Sequence, residues 1–340
     1  MSTINIAVIG AGFGRHHING IINQPDRFRL GMVCDQNAER ITDAFETLKL
    51  ARPATCRIGR DYQEALNDPD IQAVVVSLPH HLHEVVCVKA AQAHKHILVD
   101  KPIARTLAEA DHIIQAAEQN HVTLMVAFNL RFEPTFRKLH DVVSSGEIGQ
   151  PLYAMTRHYQ CFNAPADSNW HSKTSVGGGC VMGSGVHNLD LMRWFFGEPE
   201  EVFAYGTHDP QRLEAEAAAA ISFRYTSGLV VNFCCNWVCS GAVPSPCFDD
   251  WEVFGSAGDI VNRLNTGFRI GHDFGKQSAE VTCDNVTPYE NLWEHFATAM
   301  TTGSLPLTHG RDARATLALV LNVYESMKTG RPVKCDHALG

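Results

Sequence analysis

Ile4-Asn5-Ile6-Ala7-Val8-Ile9-Gly10-Ala11-Gly12-Phe13-Gly14 opens the chain. The apolar run Ile4–Ile9 reads as a buried strand, and the glycines that follow let the backbone turn tightly into a helix. Free N–H groups and the positive dipole end at such a helix N-terminus suit a pyrophosphate. Gly10, Gly12, Phe13 and Gly14 are therefore the expected cradle of a dinucleotide. Asp35 ends the next expected strand, Arg29–Cys34, where a carboxylate accepts hydrogen bonds from an adenosine ribose. Gln36 and Asn37 follow it rather than an arginine. A 2′-phosphate would meet like charge there, so NAD is favoured over NADP.

The same grammar repeats downstream. Ala73–Ser77, Ile97–Val99 and Thr123–Phe128 are short apolar runs, separated by expected helices at 83–94 and 107–119. Strands alternating with helices imply a parallel sheet with right-handed crossovers. Ile97-Leu98-Val99 delivers Asp100-Lys101-Pro102 to the edge where open α/β sheets bind ligands. An ionisable lysine beside a dinucleotide turn points to redox chemistry, with Lys101 handling the proton of an alcohol. Such a group contributes about 10²–10⁴-fold to rate. A solvated surface lysine is the plainer alternative.

After Phe128 the pattern changes. A helix is expected at 134–144, then alternating segments at 152–159, 202–208, 217–225 and 229–238, with Thr226-Ser227-Gly228 as a hairpin turn. A last helix is expected over 312–328. The expected fold is α/β: a doubly wound parallel sheet over residues 1–123, then an α+β domain over 124–340 with a large, mostly antiparallel open sheet.

The bulk numbers fit two domains: 340 residues, 45% hydrophobic and 19% charged. A net charge of −9 favours neither nucleic acid nor an anionic membrane as partner. The apolar runs are too short to span a bilayer. The N-terminus passes almost directly into a strand, unlike a signal peptide, so a cytoplasmic location is expected. The 11 cysteines form no regular framework and read as reduced thiols in apolar strands. Cys234, Cys235, Cys239 and Cys247 contain no C-x-x-C pair, and no metal is expected there or at His80, His81 and His83.

On these residues the chain resembles the glucose–fructose oxidoreductase/inositol dehydrogenase (Gfo/Idh/MocA) family over nearly its whole length. The markers are the glycine turn and Asp35, Pro79 with His83, and Asp100-Lys101-Pro102. Asn129-Leu130-Arg131-Phe132-Glu133-Pro134, Gly177-Gly178-Gly179 and Gly185-Val186-His187-Asn188-Leu189-Asp190 follow in order. The resemblance implies a Rossmann domain and a C-terminal open sheet used for homodimer or homotetramer contacts. It implies NAD-dependent oxidation or reduction of a sugar, inositol or related polyol, a small-molecule substrate. Carried over residue by residue, Pro79, His80, His83, Asp100 and Lys101 would touch the cofactor. Asn129, Arg131, Trp170, His171 and His187 would face the substrate, and Lys101 and His187 would be catalytic.

Three departures stand out. The third glycine comes early, as Gly14, with Arg15 in its usual place, although the step Gly14-x-x-His17 is kept. His80 stands where the family commonly has Asn. The family pattern Asp-x-Gly-x-His reads Gly183-Ser184-Gly185-Val186-His187 here, so the histidine is present and the acid is missing. His187 must then be oriented by something else, and Lys101 would carry more of the proton transfer. The alternatives are an NAD-retaining enzyme that oxidises only transiently, for elimination or glycoside cleavage, and a non-catalytic NAD-binding sensor or regulator.

Overall fold

The computed structural model describes residues 3–162, 170–209, 211, 213–240, 247–264, 267–283 and 287–335. The chain divides into two compact units, Met1–Phe132 with Val286–Arg314, and Glu133–Asn285 with Ala315–Gly340.

The first unit runs β1 (Ile4–Ile9), α1 (Arg15–Ile22), β2 (Phe28–Cys34), α2 (Ala38–Leu48), β3 (Arg57–Gly59), α3 (Tyr62–Leu66), β4 (Ala73–Val76), α4 (His83–Gln92), β5 (His96–Val99), α5 (Leu107–Gln119) and β6 (Leu124–Val126). All pairings are parallel, in the order β3-β2-β1-β4-β5-β6. β1 and β4 are apolar nearly throughout because both faces of a parallel sheet are covered. The order reverses between β1 and β4, which places a crevice at their C-terminal ends. β6 pairs with β5, so the first unit extends to Phe132, not to the boundary expected at 123. β3 and α3 carry too few apolar residues to stand out in the sequence. They form because Asp61 caps α3 in a reciprocal box with Glu64.

The second unit begins with α6 (Pro134–Ser144) and β7 (Pro151–Gln160). It continues through α7 (Val186–Phe196), β8 (Glu201–His208), β9 (Glu216–Arg224), β10 (Val230–Asn236), β11 (Cys247–Gly255), β12 (Gly258–Leu264), β13 (Gly267–His272) and β14 (Gln277–Thr282). α8 (Pro288–Thr302) then belongs to the first unit. α9 (Gly310–Thr329) starts in the first unit and ends in the second, which closes with β15 (Val333–Lys334). The nine-stranded sheet runs β14-β13-β12-β11-β7-β10-β9-β8-β15. Every pairing is antiparallel except β10 with β7. β7 and β10 alternate in burial, with Ala154, Thr156 and His158, and Val231, Phe233 and Cys235, turned into the core. The opposite face carries Tyr205, Ala220, Cys234 and Arg157 in register. Among the described residues no helix is long and apolar enough to cross a membrane.

Candidate active site

In the first unit the dinucleotide turn is built as a cradle. Gly10 sits at φ +94°, and a Cβ on it would lie 2.0 Å from the Ser77 carbonyl oxygen. Gly14 starts α1, and a Cβ there would lie 2.0 Å from the Gly10 carbonyl oxygen. The early third glycine thus closes the shortened turn. A Cβ on Gly12 would meet nothing within 4 Å, which leaves the outer face of the turn open to a phosphate. Asp35 is half-buried and ties the turn to the end of β2, its Oδ2 accepting from the Ala11 N–H and its Oδ1 from the Asn37 N–H, each at 2.9 Å. Each oxygen keeps a lone pair for a ribose hydroxyl. The residues present therefore fit a dinucleotide. Phe13 is half-exposed on the same turn.

The acid before Lys101 has a different task. Asp100 is buried at the end of β5. His17 Nε2 lies 2.9 Å from its Oδ1, and the Ser77 hydroxyl donates to its Oδ2 at 2.5 Å. His17 comes from α1 and Ser77 from the end of β4, so one carboxylate joins two strand ends and a helix. Burial works against its charge. The facing His17, through charge and hydrogen bond, together with the Ser77 bond, outweighs that and holds the Asp100 carboxyl below its ordinary value. Lys101 follows on the Asp100–Pro102 turn, in a half-buried position.

His83 acts as a strut between two turns. It is fully buried, with Nδ1 3.0 Å from the Pro102 carbonyl and Nε2 2.9 Å from the Leu78 carbonyl. It braces the turn carrying Lys101 against the turn carrying Pro79, and burial keeps its imidazole below the ordinary value. Asp100, with a partner on each oxygen, holds the edge together. His80 is 4% exposed and packs edge-on to His83 at 5.6 Å, while Pro79 is half-buried beside it. Around α1, burial and the neighbouring Arg15 push His16 down to about 4, and its ring stacks on Tyr289 at 5.6 Å.

Asn129 begins the 3₁₀ turn Asn129–Phe132 and is half-buried. Arg131 was expected at the substrate; instead it is buried and paired with Asp312, Nη2 to Oδ2 at 2.9 Å. This ion pair with a partly buried carboxylate ties the 3₁₀ turn to α9.

In the second unit His187 is half-buried in the first turn of α7. The helix is preceded by a π-helical turn, Val181–Gly185, and closed by Gly197 at φ +79°. π-turns widen a helix locally and recur at functional sites. Asp190 is buried and accepts from the Thr316 hydroxyl at 3.2 Å, a structural role. A Cβ on Gly183 would lie 2.6 Å from Trp237 Cη2, so the indole occupies the place where the family acid would start. Trp170 and His171 lie half-buried on the 3₁₀ turn Trp170–Ser172, their rings stacked at 3.7 Å. His171 also meets Phe162 edge-on at 5.8 Å. Glu133, at the start of α6, is pushed up to about 7 by burial, with Asp249 adding to it. Cys234 and Cys235 fall on opposite faces of β10. Among the described residues no group of three His, Cys, Asp or Glu is placed to hold a metal.

Sequence reading missed His17's bond, Ser77 and Trp237. The step Gly14-x-x-His17 was visible, but its partner 83 residues away was not.

The comparisons agree with this geometry. Residues 4–128 match the oxidoreductase family with an NAD-binding Rossmann fold, and 136–261 match the GFO/IDH/MocA C-terminal domain. The myo-inositol 2-dehydrogenase of Thermotoga maritima is 26% identical over 355 residues, covering 99% of this chain and all of that one. The levoglucosan dehydrogenase of Pseudarthrobacter phenanthrenivorans is 31% identical over 232 residues, 65% of this chain and 59% of that protein. The chain spans little more than half the length of several curated relatives it matches, between 55% and 59%. A solved levoglucosan dehydrogenase, in complex with NADH and levoglucosan, superposes with a TM-score of 0.87 at 20% identity, over 99% of this chain and 100% of that one, a likeness of fold. With both halves matched in order, the chain belongs to the Gfo/Idh/MocA family of oxidoreductases, with an NAD-binding Rossmann fold.

Proposed function

We propose that this protein is an NAD-dependent oxidoreductase that moves a hydride between a CH–OH group of a sugar, inositol or related polyol and the nicotinamide. The observation that carries the reading is the clamp on Asp100. His17 and Ser77 lock the residue before Lys101 to the dinucleotide edge, so an ionisable amine is held where the reacting alcohol must come. Bound NAD would supply the hydride acceptor. Lys101 takes the hydroxyl proton, and His187 hydrogen-bonds the substrate. Gly10, Gly12, Phe13, Gly14 and Asp35 hold the dinucleotide, with Pro79 and His80 at the nicotinamide end. Asn129, Trp170 and His171 are substrate-facing in this reading. Its support is the relatives' names, inositol and levoglucosan dehydrogenases, which do not favour the cofactor-retaining or non-catalytic alternatives.

A panel of cyclic polyols and sugars with NAD, followed at the NADH absorbance band, tests it. Steady NADH production with at least one member is expected. No production from any, with NAD shown to bind, would overturn it.

The proposal extends to assembly and location. The β8–β10 face leaves Tyr205 66% and Val230 38% exposed, and a second copy would cover them, making a cytoplasmic homodimer or homotetramer. Sedimentation showing a monomer at micromolar concentration would contradict it.

A further inference from the structure

Trp237 directly follows β10 and is buried, with 2% of its surface exposed. Its backbone N–H donates to the Ala217 carbonyl at 2.8 Å, and Phe162 stacks on its ring at 4.5 Å and 13°. The indole can therefore neither slide nor tilt freely. Its benzo edge covers Gly183, where a Cβ would lie 2.6 Å from Cη2 and 2.8 Å from Cζ2. Its Nε1–H donates to the Ser184 hydroxyl at 3.0 Å, and that hydroxyl donates to Gln160 Oε1 at 2.8 Å. Gln160 is the last residue of β7. One aromatic side chain thus touches two successive residues of the π-turn, by contact at Gly183 and by hydrogen bond at Ser184. Two strands, β7 and β10, hold the turn between them.

The π-turn hands the chain to α7, whose second residue is His187. π-turns are rare and occur mostly as single turns within α-helices, frequently at functional sites. At the start of this one the Val181 N–H donates to Glu216 Oε1 and the Met182 N–H to the Tyr324 hydroxyl. At Gly183 and Ser184 the support is neutral, an indole, a hydroxyl and a carboxamide.

We propose that Trp237 is a positioning residue, which closes position 183 to any side chain and, through Ser184 and Gln160, sets the π-turn that aims His187. This rests on the reading of His187 as a substrate-binding residue. It adds that the ring is aimed by an uncharged relay and not by a carboxylate at position 183.

The experiment uses the full chain and the variants W237F, S184A and S184T. The first readout is the His187 ring resonance, assigned by its loss in H187N. Both W237F and S184A should move it, and S184T, which keeps the hydroxyl, should leave it near the wild-type position. The second readout is kinetic. W237F and S184A should each lower kcat about tenfold or more with KM for NAD unchanged, since a small misplacement of a substrate-binding group is costly. The double variant should be no worse than either single one, because they interrupt one relay. The third is steric: G183A should lower Tm sharply, and less so when combined with W237F, which removes the outer ring atoms.

An unmoved His187 resonance in both variants, or additive kinetic losses, overturns the proposal. If the wild-type protein oxidises no polyol while the resonance moves as expected, the proposed function fails and the positioning role stands.

Discussion

Two buried carboxylates are treated in opposite ways. Asp100, at the cofactor edge, has a histidine and a hydroxyl on its oxygens and is held below its ordinary value. Glu216, beside the π-turn, accepts from the Val181 N–H and the Tyr324 hydroxyl, each at 2.9 Å. Burial still outweighs these bonds and raises its value. Both are desolvated. What differs is that a histidine faces Asp100 directly, whereas both side-chain and backbone donors to Glu216 are neutral. The first unit thus favours the charged form of a carboxyl at the sheet edge that carries the dinucleotide turn. In the second unit burial favours the uncharged form of Glu216, and a neutral indole, hydroxyl and carboxamide support Gly183 and Ser184.

The largest effect that could break this comparison is at Lys101. K101M keeps length and removes the proton acceptor, and should cost about 10²-fold or more in kcat, with NAD affinity little changed. H187N should cost less, since the amide still hydrogen-bonds a hydroxyl. A larger loss from H187N would move the chemistry to the second unit.

Next comes the clamp. H17F leaves Asp100 buried without its ring partner and should cost about 3 kcal/mol of stability at pH 7, read by denaturant unfolding. The pH dependence has a definite sign. The Asp100 carboxyl is held down in the fold, so its contribution is present above the unfolded value, about 3.9, and is lost as pH falls through the folded one. The gap between wild type and H17F should therefore shrink toward acid. A gap that stays constant down to pH 3 would mean that His17 only fills space.

A smaller effect is expected at the ribose. D35S combined with Q36R should shift the ratio of NADH to NADPH affinity toward NADPH by about tenfold, roughly the worth of one charge-assisted bond. Tighter NADPH binding by the wild type would refute the reading of Asp35.

The smallest effect concerns Glu133. Its folded value is raised to about 7, so its stability share is complete below the unfolded value and is lost as pH rises through about 7. E133Q should match wild type near pH 5 and be more stable by about 1 kcal/mol near pH 8.5. Equal pH profiles would remove Glu133 from the comparison.

Much of the first unit was legible in the chain. Ile4–Ile9, Gly10–Gly14, Asp35 and Asp100–Pro102 lie within single strand–turn units, where spacing along the chain is spacing in space. β10 was legible from its period of two, but its parallel pairing with β7 was not, since alternation is blind to strand direction. β11 to β14 and α8 went unread because their apolar residues are diluted by charged and polar ones that face outward. The ion pair of Arg131 went unread because its motif says nothing of Asp312, 181 residues on. The two carbonyls that face the His83 ring went unread, because sequence does not show where a ring points.

By itself, then, the sequence determined the strand–turn–helix that can hold a dinucleotide, the lysine at the adjoining strand end, and a histidine opening a helix after a glycine pair. These are local, and short-range sterics and periodicity decide them. Only the tertiary structure decided what each polar group is paired with. It joined Asp100 to His17 and Ser77, His83 to the Leu78 and Pro102 carbonyls and Arg131 to Asp312, and set Trp237 on Gly183. The physical reason is that hydrogen bonds and packing contacts join residues tens to hundreds of positions apart. Whether a carboxylate stays charged, or a glycine can carry a side chain, depends on those distant neighbours and on nothing in the residues beside it.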